Sequence, residues 1–203
     1  MENKIAFAIS AIFHPIFMPL YAIVMLFNFD FYIAHILTPH AKWTILGLLF
    51  TLTVVIPIFL IYMYQRFGII ESYRLDKRED RPLPFLTIGS LYYVAFYLLK
   101  NINLPAIIYL VLLSATILVL IAFVINFFWK ISVHMLSVGS IVGMLISFSI
   151  AYQMNILLFI LLSILISGFV GWARLTMNAH TNLQVYAGFF LGLTFMLILF
   201  LAL

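Results

Sequence analysis

The sequence predicts an all-α integral membrane protein, a polytopic bundle of about seven (6–7) transmembrane helices. Two observations carry that prediction. Of the 203 residues, 67% are hydrophobic and only 8% are charged, whereas soluble domains carry about 25% charged residues. The apolar residues also come in runs close to the ~20 that a helix needs to cross about 30 Å of hydrocarbon. Alternating segments of ~10 residues, the mark of a β-barrel, are missing from the chain. A mean hydropathy of +1.24 agrees.

Taken in order, the apolar segments run over 5–28, 43–65, 84–99, 105–128, 135–151, 155–171 and 184–203. The first follows a short charged start, Glu2 and Lys4. It runs past the length of a signal-peptide core and meets no small-residue cleavage site, which predicts a retained first helix. Pro15, Pro19 and Pro57 fall inside spans and predict kinks whose freed carbonyls are met by neighbouring helices. Segments 84–99 and 135–151 are short for full crossings. The long polar stretch is 65–84, and no soluble domain or internal repeat breaks the pattern, so residues 1–203 read as one transmembrane domain. Gly139/Gly143 and Gly188/Gly192 fit close helix contacts inside the bundle. His14, His35 and His40 read as packing or interface residues. The chain has no cysteine, which removes disulfides and thiolate metal sites.

Seven crossings put the termini on opposite sides. Lys4, Arg66, Arg74, Lys77, Arg78, Arg81, Lys130 and Arg174 fall on the side of the N-terminus, against Lys42 and Lys100 on the other. That bias places the N-terminus and its face in the cytoplasm. The net charge of +4 comes from few groups and speaks to topology, with the bilayer and a membrane lipid as partners and no nucleic acid. The oligomeric state is left open.

Three polar clusters flank the spans: "RLDKREDRP" at 74–82, "WKISVHM" at 129–135 and "ARLTMNAHTNLQ" at 173–184. Two crossings separate each from the next, so the seven-span count puts all three at one membrane face. Ionisable groups at membrane depth are costly and face one another or a wet cavity. Guanidinium groups suit phosphate oxygens, and Ser132 stands where a helix N-cap, hence an anion-binding N-terminus, is expected. Two histidines beside a bound anion can divide the roles of nucleophile and general acid. His180 and Gln184 are four apart, so on a helix they share a face. The Gln184 amide oxygen can then hold one imidazole proton and leave the other nitrogen for substrate. All six carboxylates (Glu2, Asp30, Glu71, Asp76, Glu79 and Asp80) precede Arg81. Metal-dependent phosphoryl and prenyl transfer needs several converging carboxylates, which favours chemistry without metal or cofactor. Asp76 and Asp80 are read as loop partners of neighbouring Arg and Lys.

At these residues the chain resembles the type-2 phosphatidic acid phosphatase superfamily, which includes lipid phosphate phosphatases and vanadium haloperoxidases. The family pattern is K-x6-R-P, then P-S-G-H, then S-R-x5-H-x3-D. Here it reads Arg74-x6-Arg81-Pro82, Ile131-Ser132-Val133-His134 and Ala173-Arg174-x5-His180-x3-Gln184. The resemblance implies that His180 is the nucleophile, that His134 protonates the leaving group, and that Gln184 stands where an aspartate orients the nucleophile. It further implies that Arg74, Arg81, Ser132 and Arg174 hold the phosphoryl oxygens; Lys130, beside them in sequence, joins the set as a second choice to an interfacial role. The implied activity is metal-independent hydrolysis of a lipid phosphate or pyrophosphate, of the isoprenoid diphosphate or phosphatidate type, in a bacterial cell membrane. Arg replaces Lys at 74, Ile131 and Val133 replace Pro and Gly, Ala173 replaces Ser, and Gln184 replaces the Asp. Two other readings stay open: a silent relative that binds or transports a lipid phosphate, which Gln184 motivates, and a prenyl-transferase-like enzyme.

Overall fold

A computed structural model describes residues 2–29, 35–75, 77–102 and 104–202. Asp30 and Asp76 lie outside the described residues. In chain order the helices are α1 (Glu2–Ile12), a 3-10 turn (Pro15–Phe17), α2 (Met18–Asn28), α3 (Pro39–Phe50), a π turn (Thr51–Val55), α4 (Ile56–Arg66), α5 (Pro82–Lys100), α6 (Ala106–Asn126), α7 (Val133–Ala151), α8 (Leu157–Thr176) and α9 (Asn182–Leu201). Among the described residues seven spans are long and apolar enough to cross a membrane, with α1–α2 and α3–α4 each counting as one. The two segments that read short extend to 19 residues each, Pro82–Lys100 and Val133–Ala151. At 1.5 Å per residue that is about 28 Å, close to the hydrocarbon thickness.

The prolines act as backbone chemistry requires. Pro15 cannot donate to a helix, and α1 stops at Ile12 before the 3-10 turn that Pro15 opens. Pro19 lies in the first turn of α2, where the missing N–H costs nothing, so it bends no helix. Pro57 follows the π turn at 51–55, where the missing N–H is absorbed by the wider spacing.

The helices gather into two compact units: Met1–Met18 with Trp129–Leu203, and Pro19–Phe128. In the second unit, α5 and α6 form a hairpin, and the Tyr64 and Thr87 hydroxyls hydrogen-bond at 2.8 Å to tie α4 to α5. Buried Ser114 and Thr116 donate back to the carbonyls of Val111 and Leu112, which satisfies hydroxyls that lipid or core would leave stranded.

In the first unit α7 is central. Two-thirds of it (67%) is buried, against 28% for α8 and α9. It is apolar on every side, as a helix covered all round must be. The glycines say which neighbour comes closest. A Cβ on Gly139 or Gly143 would run into the backbone carbonyls of Phe189 and Leu193, and one on Gly188 or Gly192 into those of Ser132 and Leu136. Contacts thus climb together along both chains, so α7 and α9 lie parallel with their backbones touching, as small-residue seams permit. Their N-termini stand side by side at one end.

Candidate functional site

That pairing of N-termini builds the site. Each helix start carries N–H groups without intrahelical partners and the positive end of a helix dipole, and here two such ends adjoin. The Ser132 N–H donates to the Gln184 carbonyl at 3.4 Å, which stitches them together. The start of α9 is closed by a capping box: Thr181 Oγ1 accepts from the Gln184 N–H and Gln184 Oε1 accepts from the Thr181 N–H. The start of α7 is not closed in this way. Ser132 holds the N-cap position in extended conformation, yet its side chain makes no capping bond. Its hydroxyl is fully buried and has no hydrogen-bond partner among the described residues. Buried hydroxyls are normally bonded, and this one is an exception.

His180 is buried in the turn that leads into α9. Its Nδ1 is 2.9 Å from Gln184 Oε1. The Thr181 N–H, which can only donate, meets the same oxygen at 3.2 Å, so that atom is the amide's acceptor end. Nδ1 therefore carries the proton and Nε2 carries the lone pair. The arrangement expected from the four-residue spacing is present.

Arg174 occupies the last turn of α8, where a cation suits the negative end of the helix. Its Nη1 donates to Ser10 Oγ at 3.4 Å, and Ser10 Oγ donates to Met177 Sδ at 3.7 Å. His134, in the first turn of α7, places Nε2 at 3.2 Å from the Ser10 carbonyl. A carbonyl only accepts, so Nε2 holds that ring's proton and Nδ1 faces elsewhere with a lone pair. His14 stands edge-on to His134 with ring centroids 5.1 Å apart, and its Nδ1 accepts from the Ile16 N–H. Arg174, His14 and His180 are all within electrostatic reach of His134.

Ser132, His134, Arg174, His180 and Gln184 are thus brought together in one unit, with Lys130 half-buried on the approach to α7. Two further residues belong to the cluster: Ser10 and His14. The sequence holds a signal for them, a polar pair four residues apart inside an apolar span, and the packing role expected of His14 is met by its ring contact with His134. One other expectation changes. Ser10 meets Arg174 and Met177, while Ile5 and Ile9 lie against Leu165–Trp172. Helix α1 therefore runs in the direction of α8, and its C-terminal end, not its first residues, is level with the cluster. The charge count rested on Lys4 alone at that terminus.

Arg74 and Arg81 belong to the second unit. Arg74 is exposed, and its N–H donates to Ser72 Oγ at 3.1 Å. Arg81 is buried, and its Nε donates to the Leu75 carbonyl at 3.0 Å. Asp80 accepts from the Glu71 N–H. Lys77 pairs with Glu71, and that bond holds the ammonium's pKa above its ordinary value. Asp76, expected to be another partner in this loop, lies outside the described residues. Among the described residues, no three His, Cys, Asp or Glu side chains gather as a metal site would need.

No family model matches the chain, nor does any of the curated proteins or solved structures with which it was compared.

Proposed function

We propose that the chain is a membrane-embedded phosphatase that hydrolyses a lipid phosphate or pyrophosphate through a phosphohistidine intermediate. The observation that carries the proposal is the pairing of two helix N-termini around the unbonded Ser132 hydroxyl, with the His180 lone pair held beside them. Phosphate is the natural occupant: helix N-termini favour anions, the hydroxyl donates to an oxygen, and the Arg174 guanidinium is a forked donor. In the proposed reaction His180 Nε2 attacks phosphorus and the bond to the leaving oxygen breaks. His134, whose Nε2 proton is held by the Ser10 carbonyl, must first take up a second proton on Nδ1, and it gives that proton to the leaving oxygen. Water then attacks the phosphohistidine, His134 takes the water's proton, and inorganic phosphate leaves with His180 restored. Isoprenoid (di)phosphates and phosphatidate-type lipids are the candidate substrates, which matches a polar cluster at the end of apolar helices.

Purified protein in lipid vesicles should release inorganic phosphate from such lipids in the presence of EDTA. His180→Ala should lower release by about 10⁴-fold or more, as loss of a nucleophile does elsewhere. Phosphate release that persists in that variant would remove His180 from the mechanism. His134→Ala should slow alkyl esters by about 10²- to 10⁴-fold, the range for a general acid, and aryl esters far less, because their leaving oxygen needs no proton. A second reading rests on Gln184, which cannot balance an imidazolium as a carboxylate does: a binder of lipid phosphates without turnover. Binding of phosphatidate with no phosphate release at any pH would favour it.

A further inference from the structure

Helices α1 and α8 leave an open-sided groove of ≈ 490 Å³ between them, lined by Ile5 and Ile9 on one wall and Leu165, Gly168, Phe169 and Trp172 on the other. Both walls are single helical faces, spaced by three and four residues. Among the described residues, no ionisable side chain lines the groove. Each wall ends at the polar cluster. Ser10 follows Ile9 directly, and Arg174 stands two residues beyond Trp172; those two side chains hydrogen-bond to each other. Along α8, Leu165 is about 13 Å from Arg174 at 1.5 Å per residue.

Gly168 is the unusual member. Glycine inside a helix is a poorer helix former than alanine. In α7 and α9 the close approach of two backbones requires it. At Gly168 no such need exists, because an added Cβ would meet nothing within 4 Å. What its bare backbone does is deepen the groove.

We propose that this groove holds the hydrocarbon chain of a phosphate-bearing lipid whose head group occupies the Ser132, Arg174 and His180 cluster. The inference rests on the phosphate reading of that cluster. It assigns the substrate a geometry: the head group at the paired N-termini, and the chain running back along α1 and α8 toward mid-membrane. A chain that already lies in hydrocarbon gains no burial from water on entering the groove, so the groove contributes van der Waals packing and alignment of the chain with the head group.

The test is photolabelling of the full chain in phosphatidylcholine vesicles. One probe is a phosphatidate with a diazirine in its acyl chain; the other is the matching diacylglycerol, which lacks the phosphate. The phosphatidate probe should label the peptides carrying Ile5–Ile9 and Leu165–Trp172 several-fold more than the diacylglycerol does. Arg174→Ala should erase that difference. Gly168→Leu should cut the labelling, and Gly168→Ala should keep most of it, with the melting temperatures of both variants confirming folding. Equal labelling by both probes, or undiminished labelling of a folded Gly168→Leu variant, would leave only annular lipid and overturn the proposal. Labelling needs no turnover. A chain that labels as described but releases no phosphate keeps the groove and loses the hydrolase, and one that releases phosphate with uniform labelling does the reverse.

Discussion

His180 and Gln184 face each other across one turn, with Nδ1 donating to Oε1 at 2.9 Å. The Thr181 N–H meets the same oxygen at 3.2 Å and stops the amide from rotating. An aspartate at this place would do two things at once: fix the tautomer and neutralise the charged ring. The capping box lets glutamine do the first without the second.

Separating the two tasks gives the first prediction. Gln184→Ala loses both the acceptor and the cap, and phosphate release should fall at least about 10-fold, toward the ~10⁴ seen when a tautomer partner is lost. Gln184→Glu keeps the reach and adds a charge. A carboxylate favours the protonated ring and so raises the imidazole pKa. In the proposed mechanism His180 must be neutral to attack, so a higher pKa would leave less nucleophile at a given acidic pH. The acid limb of kcat/KM for phosphate release should therefore move to higher pH in Gln184→Glu. An unmoved limb would mean that His180 is not the titrating nucleophile.

Ser10 offers two atoms to two different partners, and they can be separated. Ser10→Ala deletes the hydroxyl that accepts from Arg174 but keeps the carbonyl that accepts from His134. The loss of one ordinary hydrogen bond, about 1 kcal/mol, should raise KM for the lipid phosphate roughly fivefold, with kcat within about twofold. Steady-state kinetics on vesicles checks this. A fall in kcat at constant KM would place the hydroxyl in the chemical step instead.

Ser10 also shows where sequence reading stopped. Hydropathy located every span, because burying a backbone in hydrocarbon demands long apolar runs whatever the fold. It did not give the pairing. Helix α1 is apolar on nearly all sides, so nothing in its pattern names α8 as its partner or Ser10 as the residue turned inward. Where small residues repeat, as at Gly139/Gly143 and Gly188/Gly192, the sequence did mark close contacts, since only glycine lets backbones touch. That α7 and α9 match those pairs to each other, in parallel, follows from three-dimensional packing alone. His180 and Gln184 were legible because one helical turn joins them; His14 and His134 were not, because 120 residues separate them and only tertiary structure sets ring against ring.

In the second unit a buried amide anchors the loop that carries Arg74. Asn126 Nδ2, at the end of α6, donates to the Arg78 carbonyl at 3.0 Å. Arg81 Nε holds the Leu75 carbonyl, and Leu75 itself sits in the left-handed region at φ 52°, a conformation that costs a leucine about 1–2 kcal/mol. These two bonds help hold that strained turn, beside the Leu75 N–H bond to the Ser72 carbonyl at 3.0 Å. Asn126→Leu removes one of two donors to the Arg78 carbonyl, the Arg81 N–H at 3.3 Å being the other, a loss of about 1 kcal/mol. Limited trypsin digestion at Arg74, Lys77 and Arg78 should then run several-fold faster than in the parent. Leu75→Gly, which removes the strain, should slow it. Unchanged cleavage in Asn126→Leu would mean that the amide does not anchor the loop.

The seam between α7 and α9 makes the most demanding prediction, because it links packing to chemistry. An added Cβ at Gly188 would lie 2.6 Å from the Ser132 carbonyl oxygen, and one at Gly192 would overlap the Leu136 carbonyl. Neither neighbour is a flexible side chain that can swing away, so the helices themselves must part. Overpacking of this kind costs about 1–3 kcal/mol, and Gly188→Ala and Gly192→Ala should each unfold at correspondingly lower denaturant. Gly171→Ala meets only ordinary contacts at 3.5 Å and should be near neutral. Gly168→Ala should be stabilising by up to about 1 kcal/mol, the helix-propensity difference alone. Gly188 adjoins the N-terminus of α7, so parting the helices there also separates Ser132 from Gln184. Phosphate release by Gly188→Ala should therefore fall more than its stability loss explains, at temperatures where the variant remains folded. If it falls no more than in an equally destabilised Gly143→Ala, the paired N-termini are not where phosphate binds.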